Sequence, residues 1–149
     1  MKKLMIVGLV LVFGLCAVGN VVAGDAKQTC IDLCVAAAAD AAKDLKAATA
    51  EVNKKDGKFV KGDVYVFMVD MKGVMLAHPI KPALVGKNML ENDKVKALFQ
   101  QFIDVAKGKD GKGWADYKWP KPGEKDPSDK SSYILKVNDN VFVGAGYYK

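Results

Sequence analysis

The chain has 149 residues, 50% hydrophobic and 27% charged, proportions of a globular chain rather than a disordered or fibrous one. Its 23 basic side chains outnumber 17 acidic ones for a net charge of +6, and all 23 are lysines, with no arginine anywhere. The commonest base-specific contact and the planar phosphate fork both favour arginine, and these lysines are interleaved with aspartates, so no nucleic-acid partner is expected.

Met1-Lys2-Lys3 forms a short basic start, Leu4 to Val18 an apolar run, and Val21-Val22-Ala23 a small-residue site before a cut. This is the anatomy of a secretory signal over residues 1–23, which places the mature chain, 24–149, in the periplasm or outside a bacterial cell. Its removal takes two lysines and no acid, leaving +4 on 126 residues. The rival reading is a retained anchor, because Leu4 to Gly24 runs 21 residues without a charge. Gly8, Gly14, Gly19 and Asn20 weaken that segment as a spanning helix.

Cys16 leaves with the signal, and Cys30 and Cys34 remain four residues apart. On one helix face their Cα atoms lie about 6 Å apart, inside the range a disulfide can use, and an oxidising compartment permits the bond. The pair reads as a local staple or as two small packing residues. A redox Cys-x-x-Cys motif and a haem-attachment histidine are both missing.

Thr29 to about Lys55 is predicted as one long helix, with Thr29 and Asp32 as a capping box. Cys30, Cys34, Ala37, Ala41, Leu45, Ala48 and Val52 form its buried stripe. Asp63 to Asp70 is rich in β-formers and apolar on both sides, as in a strand covered on two faces. A turn at Asp70-Met71-Lys72-Gly73 returns the chain as a strand over Val74 to Ala77, which His78-Pro79 stops. Ile80 to Asn88 is a shaped loop. A second helix is expected from Asp93 to Lys107, capped by Asn92. Trp114 to Trp119 is an aromatic strand, Pro120 to Lys130 a long loop suited to a lid, and Ser131 to Val137 with Val141 to Tyr147 a closing hairpin. The order implies an α+β domain with one five-stranded antiparallel sheet and helices packed on it.

Catalysis is hard to build from this set. His78 is the only histidine, and the nucleophile elbow, phosphate loop and zinc-helix motifs are all missing. A lone histidine does not make the usual zinc site, and Asp63 and Asp70 sit where turn and cap residues sit. No enzyme activity, cofactor or metal is expected. Binding is easier: Tyr65, Phe67, Trp114, Tyr117, Trp119 and Tyr133 are aromatics on three strands. The Pro79 loop, the aromatic strand and the Pro120 loop can meet at one end of the sheet.

Tyr65-Val66-Phe67-Met68-Val69-Asp70-Met71-Lys72-Gly73-Val74-Met75-Leu76-Ala77-His78-Pro79 carries a resemblance, as do Leu84 to Asn88, Gly113 to Pro120 and Lys130 to Tyr133. Together these segments are similar to the single Cache domain, type 2, over about residue 29 to the end. The resemblance implies a PAS-like five-stranded sheet behind a long N-terminal helix, and extracellular sensing of small molecules, commonly short organic acids. Its pocket falls on Tyr65, Phe67, His78, Pro79, Trp114, Tyr117, Trp119, Lys130 and Tyr133. A carboxylate would be oriented by Lys130, His78 and tyrosine hydroxyls. Most such domains sit between membrane helices, whereas this chain stops at Lys149, so the expected partner is a membrane sensor or chemoreceptor that takes up the message. The alternative is a structural or interaction protein that assembles, as a homodimer for example, through its N-terminal helix and keeps only a vestigial pocket.

Overall fold

The computed structural model describes residues 23–149, and the predicted export signal, on residues 1–22 and the cut after Ala23, lies outside them but for that last residue. The first helical stretch is two helices, α1 (Ala23–Lys43) and α2 (Leu45–Val52), rather than one. Cys30, Leu33, Cys34, Ala37 and Ala41 form the buried stripe of α1, as their spacing requires. The break falls at Asp44, whose backbone turns extended (φ −149°, ψ 98°) while its carboxylate accepts a hydrogen bond from Ala47 N at 2.9 Å. A short acidic side chain that can satisfy an orphan N–H ends one helix and starts the next. Leu45, expected in the buried stripe, is therefore exposed. Thr29 does not cap a helix, because α1 begins a turn and a half earlier and its hydroxyl donates to Asp25 O.

The strands are β1 (Val60–Lys61), β2 (Val64–Asp70), β3 (Met75–Ala77), β4 (Lys112–Pro120), β5 (Pro127–Lys136) and β6 (Val141–Tyr148). They pair antiparallel in the order β1-β2-β6-β5-β4, with β3 also on β2. The two-residue β1 is the addition to the five strands expected. Asp70 shapes the turn after β2, its carboxylate accepting from Lys72 N and Val74 N, and Gly73 completes it at φ +90°. A Cβ at Gly73 would also lie 2.6 Å from Leu90 Cγ, so the turn and the loop packed on it both need glycine.

Two expected boundaries move. The second helix, α3 (Lys96–Lys107), starts later than Asp93, because Asn92 closes a preceding turn through its side chain to Lys94 N and its carbonyl to Lys96 N. The Pro120 to Lys130 loop shrinks to a hairpin tip at 121–126, since pairing runs out to Pro120 opposite Pro127. Both prolines stand at strand ends, where the missing N–H costs little.

The pleat sorts the side chains into two cores. Val64, Val66 and Met68 of β2 and Val141, Val143 and Ala145 of β6 face α1 and α2. Phe67 and Val69 of β2, Ile134 of β5 and Phe142 of β6 face α3, whose Phe99, Phe102, Ile103 and Ala106 cover them. On that second face β6 presents Gly144 and Gly146, which lie opposite Phe67 and Tyr65. A Cβ at Gly144 would run into the Phe67 ring; one at Gly146 would strike Ser132 Oγ and come within 2.7 Å of Lys130 Cε. The two glycines form a notch that lets large side chains cross the middle of the sheet. Gly146→Ala is expected to lower stability by about 1–3 kcal/mol through overpacking. Urea unfolding is expected to show part of that loss recovered when Ser132→Gly is combined with it.

Candidate ligand-binding site

One end of the α3-facing side of the sheet collects most of the predicted site. Tyr65 and Phe67 come from β2, Tyr117 and Trp119 from β4, and His78 from the end of β3; with Met75, Leu98, Phe99 and Phe102 they line a cavity. The cavity is about 10 Å³, space for about a single water. His78 packs between rings, 5.1 Å from Tyr65, 6.4 Å from Phe67 and 6.3 Å from Trp119, centroid to centroid.

Two backbone-fixing contacts hold His78 there. Its N–H donates to the side chain of Asn53, the residue that ends α2, and its Nδ1 accepts from Lys81 N at 3.0 Å. An accepting Nδ1 leaves the proton of a neutral imidazole on Nε2. Burial, reinforced by the Lys130 and Lys81 cations, pushes the imidazole down to about 3, so His78 is a neutral donor across the physiological range.

Lys130 lies beside this cluster on β5 and is only 1% exposed. Its side chain runs over the Gly146 notch, placing Nζ 3.8 Å from the centre of the Tyr65 ring and 4.7 Å from that of Tyr148. Its hydrogen-bond partner is Tyr148 Oη at 3.4 Å, and Tyr148 in turn donates to Pro120 O at 2.7 Å. None of the ion pairs among the described residues includes Lys130. Burial holds the amine down to about 7, with Cys30 and Asp63 pulling it up and Lys81 pushing it further down. Cys30 acts in this way only as a thiolate, and burial pushes its thiol up to about 12, so near neutral pH it carries no charge. Tyr117 donates to or accepts from Ser132 Oγ at 2.8 Å, which fixes the phenol next to the lysine opposite it in the strand pairing.

Not every predicted residue arrives. Trp114 and Tyr133 pair across β4 and β5, 5.3 Å apart, on the other face of the sheet, where they pack with Tyr147 against the α1 side. The reason is the pleat: Trp114 and Tyr117 are an odd number of positions apart in one strand and point to opposite faces. Pro79 is buried but lines a separate outer recess with Asn53, Ile80, Pro82, Pro122 and Gly123. That recess is where the Pro79 loop and the β4–β5 hairpin tip meet, with Lys81 Nζ 5.4 Å over the Trp119 ring. Cys30 and Cys34 are buried on the α1 side and are not joined, and Cys34 Sγ donates to Tyr133 O.

Sequence reasoning missed Tyr148, Ser132 and the α3 phenylalanines as site residues. Ser132 carried a signal, since it alternates with Lys130 and Ile134 on one face of β5. Phe99 and Phe102 were read as helix core, which they are; they also roof the cavity.

Comparison with known proteins agrees with this architecture. A family model described as Cache domain matches residues 42–149. The methyl-accepting chemotaxis protein McpP of Pseudomonas putida is 30% identical over 89 residues, 58% of this chain and 16% of that protein, so the chain spans a small part of that relative's length. A solved Cache chemosensory domain that recognises carboxylic acid superposes with a TM-score of 0.60 at 28% identity, over 70% of each chain. A periplasmic sensor domain of a chemotaxis protein superposes with a TM-score of 0.63 at 26% identity, over 83% of this chain and 89% of that one. On its sequence match and its sheet-and-helix architecture, the chain belongs to the Cache domain family.

Proposed function

We propose that this chain is an exported sensory module that binds a small carboxylate and performs no chemistry on it. The observation that carries the reading is Lys130, a buried amine with no anion beside it, set next to a cavity walled by aromatic rings. Burying an amine without a counter-charge costs stability. A ligand carboxylate would supply the missing charge at that spot. The resemblance to a domain that recognises carboxylic acid supports the ligand class. The basic and apolar start of the chain, with the likeness to a periplasmic sensor domain, supports export. The likeness to a chemotaxis protein supports delivery of the signal to a membrane receptor system.

In this reading Lys130 Nζ meets one carboxylate oxygen, joined by the Tyr148 hydroxyl once it turns away from Pro120 O, and the neutral His78 Nε2–H meets the other. Phe67 and Trp119 contact the alkyl part, and Tyr65 and Tyr117 close the sides. The single-water cavity requires the half-buried Tyr117 or Trp119 to move outward as the acid enters. A lysine point charge with aromatic hydroxyls replaces the bidentate arginine clamp, which gives modest and salt-sensitive affinity. Assembly through α1 is the second reading, favoured by Val35, 53% exposed on its outer face; light scattering that reports a monomer would remove it.

A thermal-shift series with acetate, propionate and butyrate tests the binding reading. At a concentration 100 times Kd, a ligand that binds the folded state alone adds about 2.7 kcal/mol. A rise of several degrees in Tm is expected with at least one acid, and Lys130→Met is expected to abolish it. No shift with any of the three, or an equal shift in the variant, would contradict the proposal.

A further inference from the structure

The charges around Lys130 add a property to that reading, and the inference rests on it. Lys130 is enclosed from every side by groups that leave it without a counter-ion. Tyr65 on β2, Tyr117 on β4 and Tyr148 on β6 surround it with phenols that burial holds protonated. His78 after β3 is neutral and accepts through Nδ1, and Cys30 on α1 is an uncharged thiol. The charged neighbours are Asp63, ahead of β2, and Lys81, beyond His78, which act in opposite directions. The Asp63 carboxylate does not come within the 4.0 Å of Nζ that would make an ion pair. An amine in such surroundings gives up its proton more readily than one in water, and an anion placed against it restores the proton.

We infer that binding of a small carboxylate at this site draws a proton onto Lys130, so that the module reads the acid and the acidity of its surroundings together. The step is a plain protonation: the lone pair of Nζ takes a proton from solvent as the carboxylate docks, and the charges of ammonium and carboxylate then offset each other. Among the groups facing the amine, none but Lys130 itself changes charge near neutral pH, since His78 titrates far below and the phenols and thiol far above. The Gly146 notch makes the arrangement possible, because a side chain there would displace Lys130 from between the rings.

Titration calorimetry of the wild-type protein with acetate and with propionate, in buffers of different ionisation enthalpy, counts the protons directly. Uptake is expected to be close to zero at pH 6 and above about half a proton at pH 8, with affinity falling toward about tenfold per pH unit on the alkaline side. Binding with no proton uptake at pH 8 would overturn the coupling and leave the carboxylate reading standing. No binding of either acid at either pH would overturn both. A ligand-free measurement guards against a variant that binds nothing. With the folded amine held down to about 7 and the unfolded one at the ordinary 10.5, the unfolded chain keeps the proton between those values. Stability then rises with pH across that window, and the rise is expected to vanish in Lys130→Met. Parallel profiles for the two proteins would overturn the inference.

Discussion

A lysine amine enclosed by two tyrosine rings, with no carboxylate of the described residues in contact, is the arrangement on which the rest of this site turns. Such a group is unfavourable when charged, and whenever it carries its proton, cation–π contact with two rings offsets only part of the desolvation cost. Its persistence depends on the strand beneath it. Gly146 lets the side chain cross, Ser132 and Tyr117 brace one flank, and Tyr148 is tied to Pro120 on the other. The stabilisation comes from the two cores on either side of the sheet, where each buried Val, Met or Phe contributes about 1.5–3 kcal/mol.

The connections of the fold converge on that spot. The end of α2 reaches His78 through Asn53, so the helix break at Asp44 and the strand end at His78 are parts of one support. The β4–β5 hairpin brings Trp119 over His78 from one side, and the loop after β3 brings Lys81 over Trp119 from the other. The hydrogen bond from Tyr148 to Pro120 O ties the end of β6 to the same hairpin.

Much of this was legible in the sequence. The two-sided apolar run from Val64 to Val69 gave the central strand, the Asp70 turn gave the hairpin, and the stripe of α3 gave the covering helix. Lys130 stands out only through the family resemblance, because one lysine among 23 carries no local mark. Trp114 and Tyr133 were grouped with the pocket by residue type, although the odd spacing of Trp114 from Tyr117 already assigned them to opposite faces. The pair Gly144 and Gly146, two apart in a strand, signalled a close approach from above without saying what approaches. Tyr148 had no such signal: its role depends on cross-strand register, which periodicity does not reveal. The break at Asp44 was hidden by alanines that favour helix on both sides, where one capping carboxylate decided the geometry.

The lysine-only composition acquires its meaning here. An arginine at position 130 would stay charged at every accessible pH, whereas a buried lysine can wait uncharged and gain its proton with the ligand. The most direct test is a crystal structure of the protein grown with acetate or propionate. A carboxylate oxygen is expected within hydrogen-bond distance of Lys130 Nζ, on the sheet face of Gly144 and Gly146. An acid bound on the Trp114 and Tyr133 face, or one bound with Lys130 still touching only its tyrosines, would contradict it.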